Sequence, residues 1–516
     1  MASTLSSIVS RLEILERSGP LDPTIEGLAY DSRAVGPGFL FFALPGLHDD
    51  GERYVAASIQ AGAVAVIQRG PIEANSPGVA YLRVADPRLA MSPVADAFHG
   101  SPSRDLAVIG VTGTEGKSTT VYLIWQLLTL MGRRAGFFST VMSDSGSGEV
   151  PNPEHQTTPE ATAVQRMLAS MRDSGYEFAV VEASSHGLSP RTSRLADVAF
   201  DVGVFMNVTH EHLEFHGSWE QYRHDKANLF RALDRFPHEK GPPGKKRSIP
   251  SFGVACADDP SSGFFRSATF KQVVSFSGKG AAGAGFRALS VSSDAKGSSF
   301  DFEEGSRRHE ARIELPGAFN VDNTLAALAT VSGITDIPVA ELLPLLPRLR
   351  PVLGRMTAID RGQPFEVIVD YAHTPSSFQT IFPPLRLRAK ARIITVFGSA
   401  GERDTAKRPL QGAIAARYSD VVIITDEDPR GEDPMALCEE IAAGCGPKTR
   451  GLDLFLIPDR PGAIERAFSI AAPADIVLLL GKGHENSIIY ADGPHNYDEI
   501  ETACRALARL GYGDSP

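Results

Sequence analysis

The apolar run Leu106 to Val111 passes directly into GVTGTEGKSTT, residues 110–120, and then into the helix-forming stretch VYLIWQLLTLM. A strand, a glycine-rich turn and a helix in immediate succession predict an α/β fold with the turn at a strand's carboxyl end. The glycines let the backbone approach a polyphosphate and aim N–H groups at it. Lys117 adds a mobile positive charge, and Ser118 or Thr119 reaches a magnesium ion at the helix N-terminus. ATP is therefore the expected ligand, with Gly113, Thr114, Glu115, Gly116, Lys117, Ser118 and Thr119 as its cradle. The general Walker spacing would put glycine where Val111 stands, so the pattern takes the tighter form G-x-x-G-x-x-G-K-S. The competing reading is a plain glycine-rich turn before a helix, against which stand the strand before the loop and the helix-forming VYLIWQLLTLM after it.

At 516 residues the chain exceeds one ordinary core, and its length predicts about three domains. Residues 25–90 alternate short apolar runs (GFLFFAL, AVAVI, YLRV) with turns and predict a small α/β domain, with the loop Gly46 to Gly51 among them. The break HGSPSRD puts a boundary near 103. Residues 240–310, rich in Gly, Ser and Lys, predict β-structure with mobile turns and no catalytic group. After RLRPVLGRM, apolar strands alternate with helical segments, as in a Rossmann-like open parallel sheet. The expected domains are thus 1–103, 104–348 and 349–516, the central one a P-loop ATPase-like domain with a parallel sheet. The opening MASTLSSIVSRLEIL reads as an amphipathic helix without the apolar core of a secretory signal, and no apolar run is long enough to span a bilayer, which predicts a cytoplasmic protein with no membrane insertion. Cys256, Cys438, Cys445 and Cys504 lack C-x-x-C spacing and are expected to be reduced thiols. A net charge of −11 argues against a nucleic-acid partner.

In open parallel sheets ligands gather beyond the carboxyl ends of the strands. FAVVEASSHGL carries Glu182 there, where a carboxylate can hold magnesium opposite the phosphate loop; capping a helix is its structural alternative. FEVIVDYAHTP ends in Asp370 and His373. RIITVFGSAGERD leads to Arg403, Asp404 and Lys407, DVVIITDEDPRGEDP to an acidic turn with Arg430, and DIVLLLGKGHE to Gly481, Lys482, His484 and Glu485. A solvated loop explains any one of these, but four charged strand ends together predict a polar ligand site. NVTHEHLEFHG holds three histidines and fails the H-E-x-x-H zinc spacing, which leaves His212 as a single magnesium ligand. Lys226, in QYRHDKANLF, reads by default as a solvent-facing helical lysine.

Taken in order, YDSR, GTEGKST, TTP at Thr157 to Pro159, EASSHGL, NVTHEHLEFHG, LPGAFNVDNTLAA, GRM, DYAHTP, GERDTAKRP, DEDPR and GKGHE resemble the Mur ligases of bacterial cell-wall synthesis, of the MurE type, over nearly the full length. The resemblance implies a three-domain, ATP- and Mg2+-dependent ligase, expected to be a monomer. It would add a diamino acid to UDP-N-acetylmuramoyl-L-alanyl-D-glutamate through an acyl phosphate, with closure of the C-terminal domain excluding water. It also implies that Ser32, Leu47, His48 and Asp49 hold the UDP moiety, and that Thr157, Thr158, Ser184 and Arg194 face the muramoyl dipeptide. Arg191 is the alternative to Arg194, because the stretch SPRTSR is two residues longer than in the family. Lys226 matches a lysine carbamylated in these enzymes, joining Ser118, Glu182 and His212 as a metal ligand; Lys117, Lys226, Glu182 and His212 are the catalytic set. Asn323, Arg355, Asp370 and His373 match nucleotide-contacting or domain-closure positions. Arg403, Glu427, Asp428, Pro429, Arg430, Gly481 and Glu485 match the amino-acid site.

Two residues depart from the family pattern. Glu115 stands where asparagine is common, adding a carboxylate near polyphosphate. Asp428 replaces the asparagine of D-N-P-R that accompanies meso-diaminopimelate. An ionised aspartate accepts only, repels a second carboxylate and is expected to neutralise Arg430 in part, which favours L-lysine or L-ornithine, with meso-diaminopimelate the serious alternative because Arg430 is retained. The competing functions are a folylpolyglutamate synthetase-like ligase, which the YDSR-bearing N-terminal domain argues against, and a nucleotide-binding regulatory protein without turnover, which only Glu115 supports.

Overall fold

The computed structural model describes residues 2–513 apart from 47–49, 73–75, 153, 155, 210–212, 242, 243 and 295. The chain forms two compact α/β units: Met1–Leu289 with Phe302–His309 and Asp322–Leu345, and Leu346–Pro516 with Ser290–Asp301 and Glu310–Val321.

The N-terminal residues build a five-stranded sheet from β1 (Glu16–Ser18), β2 (Gly27–Ala29), β3 (Phe39–Phe42), β4 (Ala63–Gln68) and β5 (Ala80–Arg83), in the order β1-β5-β4-β3-β2. All neighbours pair parallel except β1 with β5. The runs GFLFFAL, AVAVI and YLRV are these inner strands. The expected amphipathic helix at the N-terminus is only Leu5–Ile8. Ser3 and Thr4 pair instead with Thr24 and Ile25, and Leu5, Ile8 and Val9 go into the core, so burial of three apolar side chains replaces a longer helical stripe.

A larger sheet follows. Its strands are β6 (Ala107–Thr112), β7 (Ala135–Phe138), β8 (Met142–Asp144), β9 (Val150–Pro151), β10 (Phe178–Glu182), β11 (Val202–Phe205), β12 (Phe252–Cys256) and β13 (Val273–Ser277), then β14 (Phe286–Ser293), β15 (Ser298–Glu304) and β16 (Arg307–Ile313). Their order is β9-β8-β7-β10-β6-β11-β12-β13-β14-β15-β16. Strand β6 lies between β10 and β11, parallel to both and wholly buried, as its continuous apolar sequence requires. A Cβ on Gly110 would lie 2.5 Å from Leu229 Cδ1 and 2.8 Å from the Phe200 ring, so only glycine lets these side chains close on the strand. The segments VVSFSG, FRALSV and SSFDFEE fall on β13, β14 and β15. Among the helices of this region are α1 (Lys117–Leu130), α2 (Ala161–Asp173), α3 (Ser185–Leu188), α4 (Leu213–His216), α5 (Trp219–Lys226) and α6 (Ala318–Thr335).

The second unit holds β17 (Thr357–Ile359), β18 (Glu366–Asp370), β19 (Ile393–Phe397), β20 (Val421–Ile424), β21 (Leu454–Leu456) and β22 (Ile476–Leu480), ordered β17-β18-β22-β19-β20-β21. Only the edge strand β17 is antiparallel. Continuous runs such as DIVLLL and DVVIIT are buried on both faces, between α7 (Pro375–Arg388), α8 (Lys407–Tyr418) and α9 (Pro434–Ala442) on one side and α10 (Arg460–Ile470) and α11 (Glu499–Arg509) on the other. The hairpin β23 (Ser487–Tyr490) and β24 (Gly493–Asn496) follows β22. Among the described residues no single helix is long and apolar enough to cross a membrane, and all four cysteines are free thiols.

Candidate active site

At the carboxyl end of β6 the chain turns through Gly113 to Gly116 into α1, which begins at Lys117. A Cβ on Gly113 would lie 2.9 Å from Met206 Cβ. Gly116 has φ +82°, and a Cβ there would lie 2.6 Å from Asn323 Oδ1. Both glycines are thus required by close approach, the second also by its left-handed backbone. Asn207 clamps the loop: its Oδ1 accepts the N–H groups of Glu115 (2.8 Å) and Thr114 (3.2 Å), and its Nδ2 donates to the Glu115 carbonyl (3.2 Å). Lys117 Nζ donates to the Thr114 carbonyl at 2.7 Å. Ser118 is buried at the start of α1 with Thr119 beside it, and Thr120 Oγ1 donates to Asn323 Oδ1 at 3.2 Å, so Asn323 backs the loop.

Lys226, on the last turn of α5, is 2% exposed, which overturns its default reading as a solvent-facing lysine. Its Nζ donates to the Gly113 carbonyl at 2.6 Å and lies 4.5 Å from the Tyr222 ring centroid, contacts that offset the cost of burying an amine. The Tyr222 hydroxyl is 3.1 Å from Thr114 Oγ1, which also accepts the Thr209 N–H at 3.0 Å. Glu182, 1% exposed at the end of β10, is the register partner of Val111. Its carboxylate accepts the Thr140 N–H at 2.8 Å and lies 3.1 Å from Thr140 Oγ1, itself 3.0 Å from Thr157 Oγ1.

Thr158 Oγ1 donates to the Glu182 carbonyl (2.8 Å) and accepts the Ser184 N–H (3.0 Å), while Ser184 caps α3. The Arg194 guanidinium reaches Gln156 Oε1 (2.7 Å), the Thr158 carbonyl (2.8 Å) and Glu160 (2.8 Å). Arg191 binds the Phe215 carbonyl instead, so of the two arginines Arg194 accompanies Thr158. Ser32 opens the turn Ser32–Ala34, capped by Asp31. Leu47, His48, Asp49 and His212 lie outside the described residues. Cys256 Sγ and carboxylate oxygens of Asp258 and Asp322 lie within 4.8 Å of one another. Burial pushes the Cys256 thiol up to about 12.

In the second unit, Asp370 ends β18 and accepts the N–H groups of Met356 (2.7 Å) and Ala372 (2.8 Å). Burial raises its pKa against the opposing pull of Arg355 and these donors. Arg355 lies 4.7 Å over the Tyr371 ring. His373 donates from Nδ1 to the Tyr371 carbonyl at 2.9 Å, and its own carbonyl accepts from Lys407 and Gln411. Glu427 is buried with Oε2 lacking a hydrogen bond, and a Cβ on Gly481 would sit 3.0 Å from that oxygen. Asp428 Oδ1 accepts from Lys482 Nζ (2.8 Å) and the Ile489 N–H (3.0 Å). Lys482, 1% exposed, also pairs with Glu485 at 2.5 Å. Burial would lower its pKa, but Glu485 and Asp428 together raise it. The expected neutralisation of Arg430 by Asp428 is therefore corrected: the aspartate pairs with Lys482. The reason is proximity: the buried Lys482 ammonium stands 2.8 Å from Asp428 Oδ1, whereas the Arg430 N–H goes to the Ile489 carbonyl and its side-chain Nε is buried without a hydrogen bond. The Gly401 N–H donates to the Asp428 carbonyl at 2.8 Å, an approach open to glycine alone because a Cβ there would lie 2.0 Å from the Pro429 carbonyl; Arg403 is exposed.

The roles of Asn207, Tyr222, Thr140 and Lys482 were not assigned from sequence. Asn207, Tyr222 and Lys482 lie inside segments quoted there, whereas Thr140 carries no local signal.

The Mur ligase middle domain matches residues 111–331, the Mur ligase glutamate ligase domain 354–483 and the Mur ligase family catalytic domain 24–99. The chain belongs to the Mur ligase family. A UDP-N-acetylmuramyl-tripeptide synthetase of Treponema denticola is 50% identical over 98% of each chain, and one of Roseiflexus sp. is 47% identical over 96% of each. A UDP-N-acetylmuramoyl-L-alanyl-D-glutamate–2,6-diaminopimelate ligase of Geobacillus thermodenitrificans is 37% identical over 98% of each. A solved structure of a ligase of that last name aligns with a TM-score of 0.64 at 26% identity, covering 99% of this chain and 100% of the other. Within its family the chain is a MurE-type ligase, an ATP-dependent enzyme of peptidoglycan synthesis that forms an amide bond. The folylpolyglutamate synthase of Mycobacterium tuberculosis shares the fold, with a TM-score of 0.61 at 16% identity over 83% of this chain and 96% of that one.

Proposed function

We propose that the chain joins a diamino acid to the terminal carboxyl of UDP-N-acetylmuramoyl-L-alanyl-D-glutamate. The observation that carries this reading is the clamped phosphate loop bearing Lys117 with buried Glu182 and Lys226 beside it in the fold. Residues 1–103 then bind the UDP moiety, 104–348 bind ATP, and 349–516 take the amino acid. The dipeptide carboxylate attacks the γ-phosphorus of ATP, the bond to the β-phosphate oxygen breaks, and ADP leaves with an acyl phosphate formed. The amine of the amino acid adds to the acyl carbon and gives up a proton, and the acyl C–O bond breaks to release phosphate with the amide in place. Lys117 supports the charge gathered on the transferring phosphoryl group, and the loop N–H groups hold the polyphosphate.

The Ser118 hydroxyl, the Glu182 carboxylate and a carbamate on Lys226 are hard oxygen donors that fit magnesium, which when bound neutralises phosphate charge. A neutral Lys226 amine adds to CO2, forming an N–C bond and releasing a proton. Lys226→Ala is expected to lose most activity and to recover part of it with added short-chain carboxylic acids; full activity without them contradicts the carbamate.

For the added residue we propose L-lysine or L-ornithine. Asp428 offers acceptors only, Glu427 has a buried oxygen without a hydrogen bond, and Lys482 is already held by two carboxylates. This setting suits an ammonium end better than a second carboxylate. The retained Arg430, whose Nε lacks a hydrogen bond, favours meso-diaminopimelate as the second reading. Phosphate release from ATP that requires both the UDP-muramoyl dipeptide and an amino acid tests the assignment. Release that requires a folate instead, or none with any acceptor, contradicts it.

A further inference from the structure

Helix α5 carries Asp225 immediately before Lys226. Asp225 is 1% exposed, with Oδ2 2.8 Å from His216 Nδ1 and Oδ1 accepting from Gln221 Nε2 at 2.7 Å. The other nitrogen of the His216 ring, Nε2, lies 3.0 Å from Ser185 Oγ. Ser185 opens α3, directly after Ser184. A carboxylate only accepts, so Nδ1 carries a proton, and in the neutral ring Nε2 accepts from the Ser185 hydroxyl. The ring also packs against Tyr222, centroids 5.1 Å apart.

The three groups resemble a nucleophilic triad in order, yet Ser185 and His216 are each 2% exposed, which denies a substrate access to the hydroxyl. What the chain of hydrogen bonds does is join two elements. One presents Ser184 beside Thr158 and Glu182; the other presents Lys226 to the phosphate loop. We propose that His216 is a positioning residue that, through Asp225 and Ser185, locks the helix of Lys226 to the turn of Ser184. The carbamate and the dipeptide's carboxylate are thereby held in one geometry. Removing the ring takes the His216 bond from one oxygen of the buried Asp225 carboxylate and from the buried Ser185 hydroxyl, and the two elements lose their common reference.

This inference rests on the reading of Lys226 as a carbamate, and its test separates the two. After dialysis against CO2-free buffer, ligation is measured against added bicarbonate for the wild type, His216→Gln, Asp225→Asn and Ser185→Ala. The relay predicts that His216→Gln and Asp225→Asn raise the half-saturating bicarbonate and the KM for the UDP-muramoyl dipeptide by about five-fold or more, with KM for ATP changed by less than about two-fold. Ser185→Ala, which removes one hydroxyl, keeps the test open should the others fail to fold, and is predicted to raise the same two quantities by about two-fold or more. A merely structural role lowers the active fraction at every bicarbonate level and leaves both midpoints in place, which overturns the proposal. A wild type indifferent to bicarbonate, together with a fully active Lys226→Ala, removes the carbamate reading and the relay's purpose with it.

Discussion

Asp428 carries the choice of amino acid in a single side chain. Its bond to Lys482 and the Ile489 N–H fixes it as an acceptor, and asparagine there would keep the shape while offering an N–H. Asp428→Asn is expected to shift selectivity toward meso-diaminopimelate by roughly 10- to 100-fold, the effect of relieving one repelled carboxylate, measured with the three diamino acids in competition; an unchanged ratio contradicts the electrostatic argument. Lys117→Ala removes the positioned cation, so ligation is expected to fall by about 10²-fold or more in single-turnover assays, and near-normal turnover would sink the nucleotide assignment. Asp426 gives a prediction about pH. Burial pushes its carboxyl up to about 6 from the ordinary 3.8. The raised value means that its contribution to stability is complete below the unfolded value and is lost as pH rises through about 6. The difference in Tm between Asp426→Asn and wild type should therefore move in favour of the variant between pH 4 and pH 7, and a constant difference would show that Asp426 does not titrate in that window.

The strand, loop and helix around Lys117 were readable because their signals are local: an apolar run, glycines and a helix former follow one another within 25 residues of chain. The parallel strands of the second unit were readable for the same reason, each being a continuous apolar run. Asn207 was not, since it reaches the Glu115 N–H across 92 residues of chain and no periodicity encodes that grip. The burial of Lys226 was also hidden. WEQYRHDK shows no apolar stripe, and the partner that makes burial tolerable is a carbonyl of the phosphate loop; the resemblance alone raised it. The N-terminal helix failed in the opposite direction, because its apolar spacing served a single turn and a strand pair. Asn207→Ala is expected to loosen the loop and raise KM for ATP by about ten-fold or more, the effect of losing the three side-chain hydrogen bonds to the loop backbone, with little change in KM for the amino acid. An unaltered KM for ATP would show that the clamp is dispensable.

Across the whole molecule, the family and the α/β architecture were legible from ordered motifs, whereas pairings such as Asp428 with Lys482 needed coordinates because they join turns far apart in sequence. The chemistry assigned to the chain requires that ATP, a muramoyl dipeptide and a diamino acid be consumed together. The direct measurement is the product formed when L-lysine, L-ornithine and meso-diaminopimelate are supplied at equal concentration with ATP, magnesium and UDP-N-acetylmuramoyl-L-alanyl-D-glutamate, analysed by mass spectrometry alongside ADP. The account predicts one UDP-muramoyl tripeptide per ADP, with L-lysine or L-ornithine as its third residue. ADP formed without any tripeptide, or no turnover at all, would contradict the ligase assignment, and a tripeptide carrying mainly meso-diaminopimelate would contradict the reading of Asp428.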